Sequence, residues 1–316
     1  MPTPAACYTI GGPGGVTYSR RFLDIVAPCR ASILSRPGFM MIVRPCRLLA
    51  VVAGVWLAAA SAAFAVEIAP HRALYSLTLG SAKSSSGVVG ATGAMVYEWG
   101  ETCDGWTVQQ RFRLRLQYAE QDGVDVSSNL VTWESKDGLR YRFNERRLRN
   151  GEPDEEIKGD AKLDGAGKGG TAEFSRPEAT TLTLAPGVLF PTAHTILLIE
   201  RAQAGEQFIS KQVFDGATVE NASQITAVIG PLLKAGAGAP AAATNAKPVD
   251  SVILKRPSWR VRLAFFPADD KSGQPDYELG MRLLDNGVSQ DMSLDYSDYV
   301  IRAKLDEIEA LPRPTC

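Results

Sequence analysis

From Trp106 to Tyr118 the chain alternates with a period of two. Trp106, Val108, Phe112, Leu114, Leu116 and Tyr118 fall on one side, and Thr107, Gln109, Arg111, Arg113, Arg115 and Gln117 on the other. A backbone that sends successive side chains to opposite faces is a β-strand, and one apolar face requires a sheet lying on a core. The pattern recurs in Leu139, Tyr141 and Phe143, in Trp259, Val261, Leu263 and Phe265, in Tyr277, Leu279, Met281 and Leu283, and in Val288, Met292, Leu294 and Tyr296. Asp104-Gly105, Asp122-Gly123, Asp137-Gly138, Asn150-Gly151, Asp215-Gly216 and Asn286-Gly287 lie among these runs. Such dipeptides reach positive φ at little cost, so they predict tight hairpins and antiparallel neighbours.

Helical periodicity is confined to Thr192–Ala204, where Ile196, Leu197 and Ile199 form the apolar stripe. Pro191 precedes it, Thr192 is the expected N-cap and Gly205 the stop. Residues 231–248 are Ala, Gly, Pro and Lys with little to bury, which predicts a flexible insertion. Strands of one character lie on both sides of it, so residues 66–316 are expected to form a single domain of about 12–14 strands with one helix packed against the sheet.

Residues 40–65 have the form of a cleaved export signal. Arg44 and Arg47 open it, Leu48 to Ala60 are apolar, and Ala63-Phe64-Ala65 is a small-x-small cleavage site. The apolar run falls short of the roughly 20 residues a membrane span needs, so no transmembrane anchor is expected in the mature form. Residues 1–39 precede Met40 and Met41 without periodicity and read as an upstream extension. Cleavage after about Ala65 would deliver the mature chain to the periplasm and remove Cys7, Cys29 and Cys46 of the five cysteines, leaving Cys103 and Cys316. In an oxidising compartment two leftover thiols tend to pair, although two separate thiols remain the alternative.

Without residues 1–65 the formal charge goes from −1 to −6, since that stretch holds six arginines and one aspartate. An acidic chain without clustered positive charge is a poor nucleic-acid binder. The two histidines, His71 and His194, are expected to fix local structure by hydrogen bonding. No nucleophile elbow, phosphate-binding glycine loop, Cys-x-x-Cys or metal-spaced His cluster occurs, so neither catalytic residue, metal nor cofactor is expected. Glu152, Asp154, Glu155 and Glu156, like Asp269 and Asp270, lack calcium-loop spacing and read as solvated hairpin tips. Trp106, Phe112, Trp133, Tyr141, Trp259 and Phe265 could fill a core or line a cavity. The face formed by Trp106, Phe112, Leu114, Leu116 and Tyr118 is the candidate surface for an apolar ligand.

Four segments are together similar to the EipB family, periplasmic cell-envelope integrity proteins of alphaproteobacteria. They are Ala-Pro-His-Arg-Ala-Leu-Tyr at 69–75, Glu-Thr-Cys-Asp-Gly-Trp at 101–106, Phe-Pro-Thr-Ala-His-Thr at 190–195, and the closing Leu311–Cys316. The resemblance implies a broken, spiral-like β-barrel of about fourteen antiparallel strands holding one helix, and a disulfide between Cys103 and Cys316. It gives His71, Arg72, Tyr75, Asp104, Gly105, Trp106, Phe190, Pro191 and His194 structural roles. It also implies a non-catalytic part in envelope integrity and stress resistance through protein contacts, with a periplasmic repeat protein as a possible partner. A carrier of lipid or lipoprotein acyl chains is the alternative, by analogy with other curved periplasmic sheets.

Overall fold

The computed structural model describes residues 66–237, 251–268 and 273–316. The upstream stretch 1–39, the export segment 40–65, most of the 231–248 insertion, and Asp269 with Asp270 lie outside the described residues.

The first strand pairs with the last. β1 (His71–Ala82) is followed by β2 (Val88–Glu101), β3 (Gly105–Tyr118), β4 (Val124–Ser135), β5 (Arg140–Arg149), β6 (Glu152–Leu163), β7 (Gly170–Arg176) and β8 (Thr180–Leu184), each antiparallel to the one before. Helix α1 (Pro191–Gln203) then leads into β9 (Phe208–Val213) and β10 (Ser223–Ile229). A short helix α2 (Ser251–Leu254), β11 (Ser258–Phe266), β12 (Tyr277–Leu284), β13 (Ser289–Asp295) and β14 (Tyr299–Ala310) complete the order. β14 lies beside β1 from His71↔Ala310 to Ala82↔Tyr299, so two meanders become one open sheet of 14 strands with β8 and β9 at its edges. The expected all-β architecture with one full-length helix is the one found.

The edges converge where the chain passes from one to the other. Leu189, between β8 and α1, donates its N–H to Gln212 O (3.0 Å) and accepts from Phe214 N (2.9 Å), a parallel bridge onto edge strand β9. Paired in this way, part of β9 is covered against edge-to-edge association.

The inward faces form three cores. Tyr75, Leu77, Leu114, Leu116 and Ile301 belong to the one at the β1–β14 seam. Trp99, Trp106, Trp259, Leu198 and Ile199 belong to a second, which receives the apolar side of α1. Tyr141, Phe143, Phe174, Phe190 and Phe214 make a third, with Phe190 stacked on Tyr141 at 5.1 Å. The candidate ligand face is therefore divided: Leu114 and Leu116 lie in the first core, where Phe112 and Tyr118 pack partly buried, and Trp106 lies in the second.

Several local expectations are corrected. Thr192 is not the N-cap; that position is Phe190, in extended conformation, and Pro191 opens the helix where its missing N–H costs nothing. Gly105 and Gly123 are absent from the positive-φ glycines, whereas Gly138, Gly151, Gly216 and Gly287 occupy that region. Gly105 is required for space instead, because a Cβ there would fall on Trp133 Nε1 and the Glu134 carbonyl. Trp133 faces outward, with the Arg142 and Arg140 guanidiniums 4.8 and 5.5 Å from its ring. The acidic run after Asn150-Gly151 forms the start of β6, where Glu155 pairs with Arg147 at 2.7 Å. The low-complexity segment begins inside the sheet, since Leu233 and Ser258 exchange both backbone hydrogen bonds.

A clasp gathers the two ends of the described chain. Cys103, in the β2–β3 turn, is joined to Cys316, 213 positions away. Arg313 reaches Glu101 (3.0 Å), Glu67 (2.9 Å) and the Ile68 carbonyl (3.0 Å), and Leu311 N donates to Pro70 O (2.9 Å). Lys136 also pairs with Glu101 and sits 3.2 Å over the Trp106 ring. The ion pairs are partly solvated and worth little singly. The covalent bond dominates, because the chain-entropy model gives about 5 kcal/mol as an upper figure for a loop of this length. Replacing both Cys103 and Cys316 with serine should therefore lower the unfolding free energy by a few kcal/mol in urea titrations. The oxidised wild type should run ahead of its reduced form on non-reducing gels; equal mobility and equal stability would rule the clasp out.

Candidate functional site

Alternation along β4 places Thr132 and Glu134 on the inward face, and both are buried. A carboxylate in a core needs compensation, and the start of α1 supplies it. Glu134 Oε2 accepts the N–H of Thr192 at 2.7 Å, and Oε1 accepts that of Ala193 at 2.8 Å. The helix is thus capped from another strand, with negative charge at the positive end of its dipole. Phe190, too apolar to cap, serves as a buried anchor beneath the same turn.

Burial still outweighs those two bonds. It pushes the Glu134 carboxyl up to about 7 from its ordinary value of 4.5, with the Thr192 and Ala193 amides opposing. One residue along the helix, His194 is pulled down to about 4 by burial, and its Nε2 makes no hydrogen bond. Trp99 Nε1, also buried, is likewise without a partner. His71, at the start of β1, has Nδ1 2.7 Å from the Ala69 carbonyl, and burial lowers its proton affinity as well. Its ring stands 6.1 Å from Tyr97 and 6.4 Å from Trp99.

The residues singled out in the sequence thus serve three places. His71, Asp104, Gly105 and Trp106 surround the clasp and the base of the second core, where Asp104 Oδ1 accepts from Thr102 Oγ1 at 3.0 Å. Arg72 bridges Glu98 (2.7 Å) and Glu309 (2.8 Å) across β2 and β14, and Tyr75 donates its hydroxyl to Ser289 O at 2.8 Å. Phe190, Pro191 and His194 form the entry of α1. Glu134 was not among them; a lone glutamate at an inward position of an alternating strand is the signal that would have found it. No cluster of three or more metal-ligating side chains occurs among the described residues.

A family model described as EipB-like matches residues 62–312. The chain belongs to the EipB-like family. This EipB-like chain is 37% identical over 255 residues to the cell envelope integrity protein EipB of Brucella abortus (strain 2308), covering 79% of the chain and 87% of that protein. A crystal structure of a β-barrel-like protein of a domain of unknown function from Brucella abortus superposes with a TM-score of 0.71 at 34% identity, over 78% of this chain and 100% of that one.

The titrations at the entry of α1 oppose one another. Unfolded glutamate loses its proton near 4.5 while buried Glu134 keeps it to about 7, so between those values Glu134 makes stability fall as pH rises. Unfolded histidine holds its proton to about 6.5 while His194 releases it near 4, so between those values His194 makes stability rise with pH. Each effect has a limiting slope of about 1.4 kcal/mol per pH unit, and from pH 4.5 to 6.5 they offset. Glu134→Gln should therefore steepen the rise of unfolding free energy with pH across that window, and His194→Asn should flatten or reverse it. Urea titrations at three pH values check this, and profiles parallel to wild type in both variants would refute it.

Proposed function

We propose that this chain is an exported, periplasmic protein that maintains the cell envelope without catalysis, through contacts with other proteins. The observation that carries this is its likeness, across most of its length, to a protein named for cell envelope integrity. The geometry is in keeping with it: the Glu134 carboxylate is taken up by the Thr192 and Ala193 amides, and His71 Nδ1 by the Ala69 carbonyl, so both hold local structure. No helix among the described residues is long and apolar enough to cross a membrane.

What remains for contact is the outward face of the sheet. In the acyl-chain carrier reading, Leu114 and Leu116, which are 4% and 5% exposed, would have to part from the core that holds Tyr75 and Leu77. That motion disrupts close-packed apolar contacts and favours the protein-contact reading.

A strain lacking this protein should become sensitive to detergent and to cell-wall antibiotics. Tolerance should return with the full-length gene and not with one lacking residues 40–65. Unaltered tolerance in the deletion strain, or rescue by the leaderless form, would overturn the proposal.

A further inference from the structure

Strands β3 and β5 are rich in arginine, and most of their guanidiniums have a partner. Arg113 and Arg115 share Asp125 at 3.6 and 3.7 Å, Arg142 lies 3.6 Å from Asp160, and Arg149 3.6 Å from Asp154. Arg147 holds Glu145 and Glu155, and Arg140 lies over Trp133. Arg111 and Arg146 are the two arginines of these strands with neither carboxylate nor aromatic partner among the described residues. They line the same open cleft of about 610 Å³.

Register explains the coincidence. Arg111 lies opposite Asn129 on β4, and Asn129 opposite Arg146 on β5, so the two arginines flank one amide in a straight row across three strands. Two strand spacings put their backbones roughly 10 Å apart, a gap that two long side chains can close around a small ion. Ser127 adds a hydroxyl to the floor, and Leu148 and Pro153 close one side. The row continues to Glu156 on β6, which faces Arg146 in register without forming an ion pair with it.

We propose that this cleft binds a phosphate group, held between Arg111 and Arg146 over Asn129 and Ser127. The two oxygens of a carboxylate lie in one plane on one side of its carbon, whereas the tetrahedral oxygens of a phosphate can meet forks from opposite sides and a hydrogen bond from the floor at once. Both guanidiniums line the one cleft, and Glu156, in register with Arg146, weakens the site by its charge. The proposal does not depend on how the protein acts in the envelope.

Inorganic phosphate titrated into the ¹⁵N-labelled mature protein at low salt should shift the Asn129 and Arg146 amides, and Arg111→Gln with Arg146→Gln should weaken that binding at least tenfold. Glu156→Gln should tighten it. Because these side chains are exposed, the variants should melt as wild type does. Flotation with phosphatidylglycerol vesicles, against phosphatidylcholine vesicles as control, distinguishes the sources. Flotation lost in the double variant assigns a lipid headgroup; phosphate binding without flotation assigns a soluble phosphate ligand. Absence of both, or binding unchanged in the double variant, overturns the site.

Discussion

The ladder between β1 and β14 makes one structure out of two. On one side of it the chain meanders outward from β2 to β8, and on the other from β13 back to β9, each strand beside its neighbour in sequence. Remove that ladder and two separate sheets remain, each with an apolar inner face and a raw central edge. Its register runs from His71 and Ala310 to Ala82 and Tyr299 and carries Tyr75, Leu77, Ile301 and Ala303 into the same core. The Cys103–Cys316 bond and the Arg313 contacts stand at the His71–Ala310 end, where they hold the seam against fraying.

Helix α1 solves the complementary problem at the far edges. The chain must travel from β8 to β9, and the segment doing so pairs through Leu189 with β9 and then turns into the helix. The start of that helix rests on a carboxylate from β4, well inside one meander, while its apolar side packs among residues of β9 to β12. One element thus binds both halves, by hydrogen bonds to the first and by apolar burial to the second. Glu134 and His194 lie at this junction with opposite proton linkages, so the junction changes little in strength between about pH 4.5 and 6.5.

Much of this is written locally. The strands β3, β5, β11 and β12 follow from period-two alternation, and α1 from a single apolar stripe bounded by Pro191 and Gly205. What alternation cannot state is which strands meet when they are remote in sequence. The spiral form was implied by the family likeness alone, and the pairing of β1 with β14 is seen only in the structure, because backbone hydrogen bonds between distant strands leave no periodic trace. The cap on α1 was misplaced for the same reason. Thr192 has the local chemistry of a cap, yet the acceptor comes from Glu134, 58 positions earlier. Trp133 was placed inward as an aromatic; arginines from β5 make its outward ring comfortable, a cross-strand contact invisible in a window of sequence.

The seam also governs the order in which this protein can become itself. β1 is the first strand of the sheet to be synthesised and β14 the last, so the two central edges stay uncovered until the whole sheet has been made. Local hairpins on each side can form early, since their loops are short, but the join between them is the most remote contact in the fold and so among the slowest. During that interval the protein presents two long, apolar ribbons with free amides, the surfaces most prone to pair with another chain. Its hazard lies in the half-assembled molecule, and an escort that shields one central ribbon until the other arrives would act at the point of greatest exposure.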